Sequence, residues 1–384
     1  MAVKIGLIVN PIAGMGGRVG LKGTDGAALA KAVEKGAVPL AGIRAAACLA
    51  EMAARTPDRA AFSLYTGPGG MGEASAEAAG LKPVALQLAH GGAHTTAQDT
   101  VALAREMMEQ GVDLILFAGG DGTARDVCEA VGEEALALGI PAGVKIHSAV
   151  FASSPGQAGT LAAAFIAAAE RGGQGFPEKL AEVMDIDEEA YRSGTLKARL
   201  YGYLRIPYER GRVQNLKSGS AASDAVSQAE IGHGAAEIVR KNPHTLYLIG
   251  AGTTTRALLD ALGAQGTLLG VDAWFGDGLI ARDLSERDIL DLLERHERAA
   301  IVVTPIGGQG FIFGRGNQQF SPEVIRRVGR ENIILLSAPA KLLALGTFPL
   351  LVDTGDEGLD TELAGYYRIV SGYGQFIMHR VDRG

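Results

Sequence analysis

The chain has 384 residues, more than one average domain of roughly 100–200 residues holds, so two domains are expected, each large enough for its own core. Hydrophobic residues make up 47% and charged residues 21%, which excludes a disordered chain, and 54 glycines scattered among apolar runs exclude collagen and point to tight turns. A net charge of −7 has the wrong sign for a nucleic-acid backbone or an anionic membrane, so neither is an expected partner, although a small anion can still bind through local amides.

The first apolar run ends at Asn10-Pro11, too short for a signal-peptide core, so export is not expected. The longest apolar stretch, 333–352, is interrupted by Pro339, Lys341 and Pro349 and reads as strand, loop and short helix rather than a membrane span. Cys48 and Cys128 form no disulfide framework, which suits a reducing, cytoplasmic setting, and neither reads as a nucleophile.

Short strands alternate with helices through the first half. Strands are predicted at 4–9, 61–65, 84–88 and 113–117, and helices at 27–34, 41–54, 73–79, 96–109, 123–131 and 157–171. This alternation predicts an α/β fold with an N-terminal doubly wound, mostly parallel sheet whose ligands sit at the carboxyl ends of the strands. From Gly172 to about Gln214 the character changes: an acidic run covers 185–189, a strand is predicted at 198–207, and the segment reads as a crossing between domains. Residues 217–224 read as a linker or loop.

Alternation resumes with strands at 245–249, 267–271, 300–303 and 333–336 and helices at 254–262, 286–296 and 322–330, then a late strand at 350–352 and a hairpin over 366–381. The expected division is 1–172 and 173–384, the second part being an α/β or α+β domain whose tail can pack back on the first.

The sharpest chemical signal is the apolar strand from Asp113 running into Gly119-Gly120-Asp121-Gly122-Thr123 and a helix that carries Arg125. Glycines let a ligand approach the backbone, and helix-start amides favour phosphate. Asp121 repels such a ligand unless it has a task, such as accepting the proton of an attacking hydroxyl or holding a divalent ion. The structural alternative is a tight turn with a capping aspartate.

Gly119–Thr123 after an apolar strand resembles the signature loop of the superfamily that joins NAD kinases, diacylglycerol and sphingosine kinases, and 6-phosphofructokinases. Asn10-Pro11-Ile12-Ala13-Gly14-Met15-Gly16 is similar to the Asn-Pro-x-x-Gly-x-Gly turn of that group, and Thr304-Pro305-Ile306-Gly307-Gly308 resembles the Thr-Pro-x-Gly-Ser segment of NAD kinases, with Gly308 where serine is usual. Together they identify the chain as similar to the long ATP-NAD kinase-like proteins, a branch often annotated with acetoin catabolism.

The resemblance implies ATP and NAD as substrates with Mg²⁺ as the expected cofactor, a homo-oligomer with its site between the two domains, and Asp121 as the base that activates the 2′-hydroxyl of the adenosine ribose. The family's Asn-Glu pair, which helps hold the dinucleotide, is missing: no Asn-Glu dipeptide occurs, and Arg125-Asp126 follows the loop.

Other residues fit a phosphoryl-transfer site. Lys145 and Ser148 follow a predicted strand end and can contact phosphate, or lie in a solvated turn. Thr253 and Thr254 follow a second glycine turn, Gly250-Ala251-Gly252, as a second anion site or as a capped helix. Asp272 at a predicted strand end suits a ribose hydroxyl or Mg²⁺, or a surface turn. The glycine-dense run 307–317 offers aromatic rings for an adenine, Arg315 for phosphate, and Asn317.

His90 and His94 have metal-like spacing but are separated by two glycines and a single alanine, with no evident third ligand, so a loop is expected. The acidic run 185–189 reads as solvated, and Ser153-Ser154-Pro155-Gly156 lacks the nucleophile-elbow pattern.

These residues leave three functions to weigh: a phosphotransferase resembling NAD kinase, using ATP or polyphosphate; a kinase of the same fold acting on a lipid or small polyol; and a nucleotide-binding sensor without turnover. Asp121 argues against the last, because a mere binder gains nothing from a carboxylate beside phosphate.

Overall fold

The computed structural model describes residues 2–15, 37–88, 95–143, 146–171, 175–186, 198–209, 213, 221–267, 269–306 and 310–384. The predicted helix 27–34, the histidine pair 90–94 and the acidic residues 187–189 lie outside them. The chain divides into two compact units, Met1–Met15 with Val38–Leu216, and a second that contains Lys217–Gly384.

In the first unit the elements run β1 (Val3–Val9), α1 (Ala41–Arg55), β2 (Phe62–Thr66), α2 (Glu73–Ala78), β3 (Val84–Ala85), α3 (Ala97–Glu109), β4 (Leu114–Gly119), α4 (Asp121–Val131), β5 (Ala137–Pro141) and α5 (Pro155–Glu170). The strands form one five-stranded parallel sheet in the order β3-β2-β1-β4-β5. Parallel neighbours need crossover helices, and those helices cover the sheet: all six residues of β4 are buried, as its unbroken apolar run requires. Helix starts follow local chemistry. Thr96 and Asp99 form a capping box on α3, and Ser154 caps α5 ahead of Pro155.

The sheet places the site through its connectivity. From β1 the chain moves outward through β2 to β3, then returns to β4 and β5 on the other side of β1. The crevice beyond the carboxyl ends of β1 and β4 is therefore the switch point where open α/β sheets bind ligands.

The segment read as a domain crossing holds an antiparallel hairpin of this unit, β6 (Glu178–Ile186) and β7 (Ala198–Pro207). Its strand β6 was not expected, since the acidic end of the segment masks the alternation in which Ala181 and Val183 are buried and Leu180 is exposed. The hairpin packs on α4. The predicted strand 84–88 shortens to the two residues of β3.

The second unit contains α6 (Ala221–Lys241), β8 (Leu246–Ile249), α7 (Thr253–Ala261), β9 (Asp272–Phe275), β10 (Gly278–Ala281), α8 (Glu286–Leu293), β11 (Ala299–Val303), β12 (Phe311–Phe313), α9 (Pro322–Val328), β13 (Ile333–Leu336), α10 (Pro339–Leu345), β14 (Leu350–Val352), α11 (Glu357–Leu363), β15 (Gly365–Gly372) and β16 (Gln375–Arg383). Its strands form a mixed nine-stranded sheet, β10-β9-β8-β11-β13-β15-β16-β14-β12, so the late strand and the hairpin join this sheet.

Strand alternation divides its core in two. Leu246, Leu248, Ile301, Val303, Leu335 and Ile369 belong to one buried cluster, and their neighbours Tyr247, Ile249, Ala300, Val302, Leu336 and Val370 to another. Two expectations fail here. Residues 221–224, read as linker, open α6; 217–220 lie outside the described residues. The strand expected at 267–271 begins instead at Asp272, whose carboxylate gathers Thr267 into a closed loop. No helix among the described residues is long and apolar enough to cross a membrane.

Candidate active site

The first unit brings three loops together at the switch point. Beyond β1, Asn10 anchors its own turn: its Oδ1 accepts from the Ile12 amide at 3.2 Å, and its amide donates to Ala118 O at 3.0 Å. Its Nδ2 donates to Thr123 Oγ1 at 3.0 Å, tying the β1 loop to α4. Beyond β5, the amides of Ala142 and Gly143 both donate to Gly119 O, at 2.9 and 3.0 Å.

The loops approach too closely for side chains at two of these glycines. A β-carbon on Gly119 would lie 2.2 Å from Thr123 Oγ1. At Gly14, where φ is +84°, it would lie 2.5 Å from Ala142 O. These glycines are therefore required by packing. Gly122, in the first turn of α4, is exposed and would meet nothing within 4 Å, so its bare backbone faces open space at a helix N-terminus.

Asp121 is the first residue of α4, with Gly120 as the cap. Its side chain is 12% exposed and reaches across to the β5 loop. Oδ2 accepts from the His147 amide at 2.9 Å and Oδ1 from the Ser148 amide at 2.9 Å, while His147 Nδ1 lies 3.2 Å from Oδ2. Ser148 is fully buried and its Oγ accepts from the Met184 amide at 3.0 Å, which ties the side chain to β6. Arg125 is partly exposed, 3.9 Å from Asp126.

The structure thus gathers Asn10, Pro11, Gly14, Gly119, Gly120, Asp121, Gly122, Thr123 and Ser148 around one crevice. Gly16 and Lys145 lie outside the described residues. Sequence reasoning missed two parts. One is a third glycine-rich turn, Gly67-Pro68-Gly69-Gly70, after β2, where a β-carbon on Gly70 would lie 3.6 Å from Pro11; its glycine density was the available signal. The other is His147, whose importance appears only once Asp121 is seen beside it, 26 residues away in sequence.

The second unit holds Thr253, Thr254, Asp272, Thr304, Pro305 and Asn317; Gly307 and Gly308 lie outside the described residues. Thr253 is exposed and Thr254 buried at the start of α7. Thr304 is buried against Gly252, and its Oγ1 has no hydrogen-bond partner among the described residues. Pro305 O accepts from Lys341 Nζ. Asn317 donates to Ile312 O at 2.8 Å, and its buried Oδ1 has no partner among the described residues.

Asp272, expected to meet a ribose or a metal, is buried, and accepts from Thr267 N at 2.6 Å, Thr267 Oγ1 at 2.8 Å and Asp283 N at 3.0 Å. Its lone pairs close a loop instead of facing a ligand. Phe311 and Phe313, expected to cover an adenine, are buried, and the buried guanidinium of Arg315 stacks 4.8 Å over the Phe311 ring and lies 3.8 Å from Asp353.

Both thiols are free and buried, and burial raises them above the usual thiol range, so neither is a nucleophile at neutral pH. Among the described residues no group of three His, Cys, Asp or Glu is placed to hold an ion. Each oxygen of Asp121 accepts from a main-chain N–H. The ion of a Mg–nucleotide substrate travels with its phosphates.

Residues 5–170 match the ATP-NAD kinase N-terminal domain, and residues 244–381 match the ATP-NAD kinase C-terminal domain. The chain belongs to the ATP-NAD kinase family. No curated protein and no solved structure matches it. The ATP-NAD kinase domains span both units and are those of a kinase-type phosphotransferase that uses nucleotides.

Proposed function

We propose that this ATP-NAD kinase family member transfers the γ-phosphoryl group of Mg–ATP, or of a polyphosphate, to the 2′-hydroxyl of NAD, and that removal of the hydroxyl proton depends on Asp121. The observation that carries this reading is Asp121 itself, a carboxylate at the head of α4, beside the exposed backbone of Gly122 and at the switch point of the parallel sheet. The α4 amides and the glycine turns hold the phosphates, and the loops align the hydroxyl oxygen with phosphorus. A cytoplasmic homo-oligomer belongs to the same proposal; the two free thiols suit a reducing compartment.

One observation favours a second reading. Because the chain has no Asn-Glu dipeptide to match the family's pair, a different hydroxyl, on a lipid or a small polyol, is the alternative acceptor.

The test is purified protein with ATP, Mg²⁺ and NAD, with NADPH formation read through a coupled dehydrogenase, and Asp121→Asn beside it. Turnover by the wild type alone is the expected result, with NAD still raising the melting temperature of the variant. Full activity in Asp121→Asn overturns the role of Asp121. A wild type that binds NAD without turnover moves the reading to another acceptor or to a nucleotide sensor.

A further inference from the structure

Read from sequence, Thr253 and Thr254 start either a second anion site or a capped helix, and the structure removes the cap. α7 begins at Thr253 with Gly252 as its N-cap, and no side chain caps it. The Gly252 carbonyl accepts from the Arg256 amide at 3.0 Å and from Thr255 Oγ1 at 3.0 Å. The amides of Thr253, Thr254 and Thr255 belong to the first turn, where a helix supplies no acceptor of its own and its dipole is positive.

The fold sets this helix start at a strand-order reversal. β8 and β11 are parallel neighbours, and the chain passes from β8 through α7 to β9 and β10 on one side before it returns to β11 on the other. The carboxyl ends of β8 and β11 thus border a switch point within the second unit. At Gly252, where φ is +142°, a β-carbon would lie 2.5 Å from Thr304 Cγ2, so the residue that follows β11 lies against the cap and glycine is required there.

Two hydroxyls at this place are unpartnered. Thr304 is 4% exposed, and its Oγ1 has no hydrogen-bond partner among the described residues. Thr254 is 7% exposed, and its hydroxyl makes no hydrogen bond to the described residues, yet it is not sealed from solvent as Thr304 Oγ1 is. Buried hydroxyls are nearly always paired, so two without partners at an uncapped helix start point to an acceptor from outside the chain. The nearby cations have the matching sign: Arg256 is exposed on α7, and Lys341 Nζ donates to Pro305 O, next to Thr304. The carboxylate of Asp272, opposite Ile249, is occupied by Thr267 and Asp283.

We propose that the turn 250–255 is a second phosphate site, in which the first-turn amides of α7 and Thr254 Oγ1 donate to the oxygens of a phosphate group. A tetrahedral oxyanion uses several such donors, more than a carboxylate with two oxygens does. The site belongs to the second unit and goes beyond the phosphotransferase reading, whose acceptor it does not depend on. The recognition chemistry is the same for a phosphate carried by ATP or NAD and for one on a separate phosphorylated metabolite, and the experiment separates these sources.

The experiment titrates the full-length protein, ¹⁵N-labelled at threonine, with sodium phosphate, and with sodium acetate at the same ionic strength. The Thr253 and Thr254 amide signals are assigned by their loss in Thr253→Pro and Thr254→Val. A saturable shift of both with phosphate, absent with acetate, is the expected result. Valine keeps the size of Thr254 without its hydroxyl, so the phosphate affinity read from Thr253 is expected to fall about tenfold or more in Thr254→Val and to return in Thr254→Ser. Proline is favoured at the first helical position, so Thr253→Pro removes one amide, leaves the helix intact and is expected to weaken the affinity read from Thr254.

No saturable shift with phosphate, or an equal one with acetate, overturns the site. So does undiminished affinity in both Thr254→Val and Thr253→Pro. ATP, NAD and glycerol 3-phosphate are then titrated in turn. A Thr254 shift with either nucleotide assigns the phosphate to that nucleotide, and one with glycerol 3-phosphate alone assigns it to a separate metabolite; each supports the site. A protein that does not phosphorylate NAD but whose Thr254 amide answers phosphate contradicts the proposed acceptor and supports the second site.

Discussion

Gly14 separates a packing glycine from a ligand glycine. Its φ of +84° is costly for a residue with a β-carbon, about 1–2 kcal/mol, and the added carbon would lie 2.5 Å from Ala142 O and 3.0 Å from Leu40 Cβ. Overpacking against a backbone carbonyl that is itself fixed adds about 1–3 kcal/mol. Gly14→Ala is therefore expected to destabilise the first unit by about 2–5 kcal/mol with no nucleotide present. For a unit of this size that lowers its melting temperature by about 4–20 °C. The assay is a thermal melt of the ligand-free protein followed by near-ultraviolet circular dichroism, repeated with saturating nucleotide. If Gly14→Ala melts with the wild type in the absence of ligand and differs only in nucleotide affinity, the packing argument is refuted and the glycine serves the ligand alone.

Gly122→Ala is the complementary case: with open space around the β-carbon, its ligand-free stability is expected to match or exceed the wild type by up to about 1 kcal/mol, while nucleotide affinity measured by calorimetry falls several-fold; unchanged affinity would remove Gly122 from the phosphate site. Asp356 caps α11 and pairs with Arg326 at 2.8 Å, which holds its carboxyl down at about 2. Because the folded value lies below the unfolded value of about 3.9, the stabilisation is fully present above about pH 4 and lost as pH falls through about 2. The melting-temperature gap between wild type and Asp356→Asn is therefore expected to close over that window, and a gap constant from pH 5 to 2 would contradict the assignment.

What could be read without coordinates followed local physics. The parallel sheet of the first unit was legible because its strands are short apolar runs separated by helices of period 3.6, and β4 ran directly into the Gly119–Thr123 loop. The tail hairpin was legible from Gly372 and Gly374 between two strand-like segments. Other features depended on distant partners. The strand expected at 267–271 fails because Asp272 binds back to Thr267 and forward to Asp283, and no window of propensity contains both contacts. The place of Ser148 depends likewise on β6, absent from the expected elements, whose Met184 amide donates to its Oγ and against which it is buried. Phe311 and Phe313 looked like ring surfaces for a base because glycines surround them, but the paired strand β14 buries them.

The β6–β7 hairpin has a consequence beyond its packing on α4. Asn10, Gly119 and Thr123 hang from β1 and β4, the centre of the parallel sheet, whereas His147 and Ser148 are braced by an excursion outside it. The His147–Ser148 segment thus has two footings, Asp121 at the head of α4 and the β6 strand of the hairpin. A hairpin of different length or lean would pull on the second footing alone, so the His147–Ser148 segment can be displaced while Asn10, Gly119 and Thr123 keep their places on the sheet.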